Sequence, residues 1–293
     1  RMTGVAVVLV LISAFAHASW NMMVRRSGTP ELTNWLMATS GAILASPLAL
    51  YLFFTRTTDP IGWVFIFGTV VLHIAYFFTL GRAYKYGDLS VVYPVARGLG
   101  LALIPLIGVT VLAESVSVLA GFGIAAIFVG VVTVGSSSGA GLKVWLKPRT
   151  LLADRGVLFA VMTGLLIAAY STLDKRGVEH VEPIFYMFML SLGGSIGMLP
   201  LIGRSYSRSD FTGEVRNNWR IGLVGGALQF LAYGLVLSAF RLSPVSYVGP
   251  FRELGIVFGV VLAIVILRES VTRNRAVGAV TIGVGALLVA IAP

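Results

Sequence analysis

Two stretches of the chain place a proline and an arginine inside segments apolar enough to lie in lipid: Tyr93-Pro94-Val95-Ala96-Arg97 and Tyr247-Val248-Gly249-Pro250-Phe251-Arg252-Glu253. An arginine near a bilayer centre costs about 2.5 to 3.5 kcal/mol on insertion scales, so each requires a partner, a water-filled cavity or a task. A guanidinium offers a planar fork suited to carboxylate or phosphate, and the pair reads as an anion site. The competing reading is an ion pair with Glu253, the only acid deep in any expected span, which would neutralise one arginine and leave the other. Pro94 and Pro250 each remove a backbone donor and free carbonyls within a turn of an arginine, marking a helix break or gating point, or else a kink that fixes packing.

Other polar and aromatic residues recur at helical spacing around this centre. His73, Tyr76 and Phe77 share one face, as do Gln229 and Tyr233, and Tyr93 stands one turn before Arg97. His17, Trp20 and Asn21 near the N-terminus have counterparts in Tyr170 and Ser171. The expected substrate-binding set is Arg97, Tyr93, His73, Tyr76, Tyr247, Arg252, Glu253, Trp20 and Gln229. Each aromatic residue taken singly also has the structural reading of a membrane-interface or packing residue. Arg97 is expected to bind a carboxylate, and Glu253 or backbone carbonyls an amine.

The elements that must position these residues are membrane helices. The 293 residues are 57% hydrophobic and only 12% charged, with a mean hydropathy of +0.91, far from a soluble domain. Apolar runs of roughly 20 residues match a helix crossing a 30 Å hydrocarbon core. Ten spans are predicted, at 3–23, 33–55, 61–82, 89–112, 116–136, 156–173, 182–203, 220–241, 244–267 and 272–292, giving an all-α integral membrane fold. The first could be read as a cleavable signal, but its end, Ala18 to Ser27, matches Ala168 to Gly177 position for position. A removable signal has no reason to recur mid-chain.

That match belongs to a longer repeat at an offset near 155, which pairs Arg97 with Arg252, Gly100 with Gly255, Glu114-Ser115 with Glu269-Ser270, Gly123 with Gly278 and Gly130 with Gly285. Five spans per repeat force the halves, 1–149 and 150–293, into opposite senses. Such inverted repeats underlie alternating access in secondary transporters, with the site near the midplane. The link, 137–155, is polar and carries Lys143, Lys147, Arg149 and Arg155. Most Lys and Arg outside the spans stand in loops following odd-numbered spans, which places both termini outside the cell by the positive-inside rule. The net charge of +10 is thereby read as topology signal and lipid-headgroup contact, not nucleic-acid binding. Glu114 and Glu269 are expected to be structural, with Ser115 and Ser270 capping the following helices. The spaced glycines read as close packing within a monomer or a weak homodimer. No cysteine and three scattered histidines give no metal spacing, no cofactor site and no enzyme signature.

Two five-span repeats with Ala83, Pro94, Glu114-Ser115, Gly123 and Gly130 in one copy, and Ala239, Pro250, Glu269-Ser270, Gly278 and Gly285 in the other, resemble the EamA-type branch of the drug/metabolite transporter superfamily. The resemblance implies a ten-helix exporter of amino acids or related metabolites in a bacterial inner membrane. Arginine at both 97 and 252 departs from many relatives and keeps a second reading open, a carrier of phosphorylated or phosphonate anions. A membrane scaffold or sensor without flux is the alternative of another class.

Overall fold

The computed structural model describes residues 1–135, 154–266 and 268–293; Lys143, Lys147 and Arg149 of the link lie outside them. Eleven helices occur among the described residues: α1 Gly4–Arg25, α2 Pro30–Thr55, α3 Pro60–Tyr86, α4 Leu89–Thr110, α5 Val118–Gly135, α6 Arg155–His180, α7 Pro183–Ile202, α8 Arg208–Leu242, α9 Val245–Phe251, α10 Leu254–Val265 and α11 Arg273–Ile291. They make ten spans long and apolar enough to cross a membrane, α9 and α10 together forming the ninth. The outward faces are apolar, with Phe54, Phe67, Phe122 and Val280 among the large exposed side chains. Such a surface requires lipid, and the chain is an integral membrane protein.

Local chemistry sets the helix ends. Thr3 accepts from Ala6 N, Asp154 from Val157 N and Thr272 from Arg275 N, each satisfying a donor that the first turn leaves open. Pro30, Pro60 and Pro183 occupy first-turn positions, where a missing N–H is harmless. Two predicted boundaries move. The sixth span continues past 173 to His180, and the eighth begins at Arg208, not 220, with a Ser207/Asp210 capping box and a kink at Asn218. The predicted caps also shift by two residues: Ser117, not Ser115, accepts from Ala120 N, and Thr272, not Ser270, opens α11.

The shift has a backbone cause. Ala113 and Arg268 have φ of 56° and 55°, the left-handed conformation that follows a helix. Glu114 N then donates to Gly108 O at 2.9 Å, and Glu269 N to Ala263 O at 3.1 Å, a bond six residues wide that closes each helix end around its left-handed residue. Each turn uses up the residues that the simple Glu-Ser reading assigned to the cap.

Contacts between spans follow one pattern. α1 packs on α8 as α6 packs on α3, α4 on α6 as the ninth span on α1, and α2 on α8 as α7 on α3. Spans two and seven pair with each other, as do α5 and α11. Replacing span n by span n+5 leaves this scheme unchanged. At the α5–α11 seam a methyl group on Gly130 would sit 2.8 Å from Gly278 O, and one on Gly285 2.6 Å from Gly123 O, so backbone meets backbone. The spaced glycines are therefore used within the monomer.

Candidate functional site

The ninth span changes character where its charges lie. Pro250 has no N–H to offer, and just beyond it the bonding tightens by one residue: Glu253 N donates to Pro250 O at 3.0 Å, Gly255 N to Arg252 O at 3.1 Å and Ile256 N to Glu253 O at 2.9 Å. These three-residue steps form the short turn between α9 and α10, and Arg252 and Glu253 occupy it. Its counterpart behaves differently. α4 runs unbroken through Pro94, whose ring fills the space beside Gly135. The expected helix break is thus found after Pro250 and not at Pro94, where the proline serves packing.

Arg97 Nη1 lies 3.4 Å from Glu253 Oε1, joining the fourth span to the ninth across the repeat, with side chains 22% and 8% exposed. Arg252 takes another partner: its guanidinium stands over the Tyr233 ring, 5.9 Å from the centroid. Among the described residues no carboxylate lies within ion-pairing distance of Arg252. One arginine is therefore neutralised and the other is held by an aromatic face.

Next to this pair stands a group of rings from three helices. His73 of α3 lies 4.1 Å from the Tyr170 ring of α6 and 5.5 Å from that of Tyr233 of α8. Tyr76 lies 5.7 Å from Tyr170, and Tyr170 6.3 Å from Tyr233. His73 Nδ1 lies 2.9 Å from Thr69 O and 3.1 Å from Thr69 Oγ1, so Thr69 holds the imidazole in place from one turn before it. Tyr93 sits beside Arg97. His73, Tyr76, Arg97, Tyr233 and Arg252 are all half-buried although they lie well inside their spans, and Tyr93, near the start of the fourth, is half-buried too. Polar residues that face one another there point into the bundle and not toward lipid.

Trp20 and Gln229 add a second kind of signal. Trp20 packs edge-on against His17 at 5.1 Å, and Gln229 Nε2 donates to Asn34 Oδ1 at 2.9 Å. Trp20 Nε1, Gln229 Oε1 and Ser171 Oγ are nevertheless buried without a hydrogen-bond partner among the described residues. Buried polar atoms in native proteins rarely stay unpaired, so one donor, one acceptor and one hydroxyl call for polar groups from elsewhere.

Tyr247 is placed outside this group. It is 1% exposed, and its hydroxyl accepts from Ser117 N at 3.0 Å, so it anchors the start of α5. Glu114 is similarly committed. Its carboxylate accepts from Val245 N, Ser246 N and Ser246 Oγ at 2.6 to 2.9 Å, closing the N-terminus of α9. Its counterpart Glu269 pairs with Arg25 at 2.9 Å.

Glu253 is not the only deep acid. Asp174 of α6 is 0% exposed and accepts from Tyr186 Oη at 2.8 Å and from Tyr233 Oη at 2.5 Å. It falls one residue beyond the predicted end of its span, and the run Asp174-Lys175-Arg176 resembles a loop. The signal that would have found it is its position four residues after Tyr170, on the same helical face. Glu214 is a second buried acid, 7% exposed, held by Thr29, Thr33 and Asn218 at the kink of α8. Among the described residues no three His, Asp or Glu cluster in a way that could hold a metal ion.

Comparison with known proteins places this architecture. No curated protein matches the sequence. A solved crystal structure of a protein superposes with a TM-score of 0.71 over 97% of this chain and 95% of its own, at 16% identity, which shows a shared fold. Residues 154–291 match the EamA-like transporter family. The second half of this ten-span chain thus matches a family of membrane transporters of the drug/metabolite superfamily, and the shared fold extends over the rest.

Proposed function

We propose that the protein is a secondary transporter that exports amino acids or closely related zwitterionic metabolites from a bacterial cell, by alternating access between halves 1–149 and 150–293. The observation that carries this reading is the contrast between the two arginines. Arg97 is engaged by Glu253, whereas Arg252 faces the interior with an aromatic partner and no carboxylate among the described residues. The ligand's carboxylate therefore goes to Arg252, and Arg97 and Glu253 hold the fourth and ninth spans in register around it. The unpaired atoms of Trp20, Gln229 and Ser171 suit a ligand that carries both donors and acceptors. A phosphate bridging both arginines would first have to displace Glu253 from Arg97, which favours the carboxylate.

The test is counterflow in proteoliposomes preloaded with an equimolar mixture of the twenty common amino acids, with the same mixture radiolabelled outside. Arg252→Gln is expected to lower the initial rate by at least about tenfold, the usual scale for one charged hydrogen bond. Undiminished counterflow in that variant refutes the assignment. No counterflow with amino acids, together with counterflow of labelled inorganic phosphate into phosphate-loaded vesicles, moves the ligand to the phosphorylated class.

A further inference from the structure

Asp174 takes no part in the site as described so far, yet it is a fully buried carboxylate one side chain away from it. It lies about 9 Å from the end of α6, taking 1.5 Å per residue. Its two oxygens each receive a phenol, Tyr186 on Oδ1 and Tyr233 on Oδ2. The Tyr233 ring is the one that carries Arg252, and with His73, Tyr76 and Tyr170 it forms the ring cluster. Three tyrosines and an imidazole around one space present electron-rich faces, the usual surroundings of an ammonium group. A carboxylate behind them deepens the negative potential.

We propose that this aromatic cluster, backed by Asp174, receives the ammonium end of the ligand, and that an ammonium in the cluster and a proton on Asp174 exclude one another, which makes transport a proton exchange. The proposal rests on the transport reading and extends it. Tyr233 has a single O–H. While Asp174 is ionised the phenol donates to it, which leaves the phenol lone pairs available to an ammonium. A protonated Asp174 can itself donate to Tyr233 Oη, occupying a lone pair and removing the negative charge behind the ring. The proton comes from water and returns to water, and no other bond changes. Ligand carboxylate on Arg252 and ammonium among the tyrosines then use both charges of a zwitterion.

The groups facing Asp174 are consistent with that role. From α3 comes His73, from α7 Tyr186 and from α8 Tyr233, whose ring carries Arg252 of the α9–α10 turn; Arg97 of α4 is engaged by Glu253. Lys175, its neighbour in sequence, is turned away to Phe240 O. No ion pair to Asp174 occurs among the described residues. Tyr186 stands one turn from Glu182, which with Asp59, Glu179 and His180 lines a polar cleft of about 450 Å³ at the end of the bundle.

The experiment uses the full chain in proteoliposomes and the same amino-acid mixture. Wild type is expected to accumulate label in acid-loaded vesicles, by up to about tenfold per pH unit for one-for-one exchange, with the lumen turning alkaline as label enters. Asp174→Asn keeps both heavy-atom positions but removes the charge and the titration, and is expected to lower counterflow by at least about tenfold, with whatever uptake is left no longer responding to a pH gradient. Accumulation by Asp174→Asn equal to wild type overturns the proposal. So does wild-type counterflow that neither responds to a pH gradient nor moves protons, a measurement that needs no variant to fold. Absence of counterflow in wild type refutes the transport reading itself and this proposal with it; counterflow without proton movement refutes the proposal alone.

Discussion

Removing Arg97 should destabilise the protein more than removing Glu253, and removing both should harm it less than the two losses summed. At 3.4 Å and an effective dielectric near 20, the attraction between the pair is about 5 kcal/mol before desolvation is subtracted. Glu253 is 8% exposed and Arg97 22%, so Arg97→Gln strands a dry carboxylate, whereas Glu253→Gln leaves a guanidinium that water reaches. Losing one partner of a buried pair costs about 3 to 5 kcal/mol, and replacing both is often close to neutral. Partial hydration brings the expected losses to about 3 kcal/mol for Arg97→Gln, about 2 for Glu253→Gln and about 2 for the double variant, a coupling of about 3. The assay is thermal unfolding in detergent followed by tryptophan emission, at roughly 2 to 4 °C per kcal/mol for a chain of this order. Midpoints should fall in the order wild type, the double variant together with Glu253→Gln, then Arg97→Gln. A double variant whose loss equals the sum of the single losses shows that the two side chains do not interact, and the division of labour between the arginines fails with it.

Three further outcomes follow from the packing. Ala113→Gly and Arg268→Gly each relieve a left-handed residue and should raise stability by about 0.5 to 1 kcal/mol in the same unfolding assay. Glu114→Ala strips three donors of their acceptor at the start of α9 and should lower stability by about 1 to 2 kcal/mol, with Glu114→Asp recovering part of it. Gly130→Val drives a side chain into Gly278 O and Ile282; the expected loss is about 1 to 3 kcal/mol, read as a lower unfolding midpoint and a smaller monodisperse fraction in size-exclusion chromatography.

The spans were legible because lipid imposes a strong constraint: a segment must be apolar for about 20 residues or it does not cross. The same constraint misled at the ends. Asp174-Lys175-Arg176 resembles a loop because three charges in a row look wet, but on a helix they point in different directions. Asp174 turns inward to two phenols, Lys175 reaches Phe240 O, and Arg176 is exposed. The arginines were visible from charge alone, and their different fates were not, since Pro94 and Pro250 are the same residue type in matched positions. Tertiary context separates them: Pro94 packs on Gly135, and Pro250 leads into a tightened turn. Tyr247 failed for a related reason, because its one distinguishing contact is a backbone N–H 130 residues away.

The glycine seam between α5 and α11 has a mechanical meaning. Two helices separated by a layer of side chains can slide, because rotamers yield; at Gly123, Gly130, Gly278 and Gly285 the peptide planes themselves are in contact, and nothing between them can deform. That seam is a stiff joint between the two halves, as is the approach of Gly41 to Gly226 between α2 and α8. Flexing falls to the places where the helical ladder is already loosened, at Asn218 and at the turn that bears Arg252 and Glu253. Arg252, proposed to meet the ligand, thus stands where the helical ladder is loosened and not on the rigid seam.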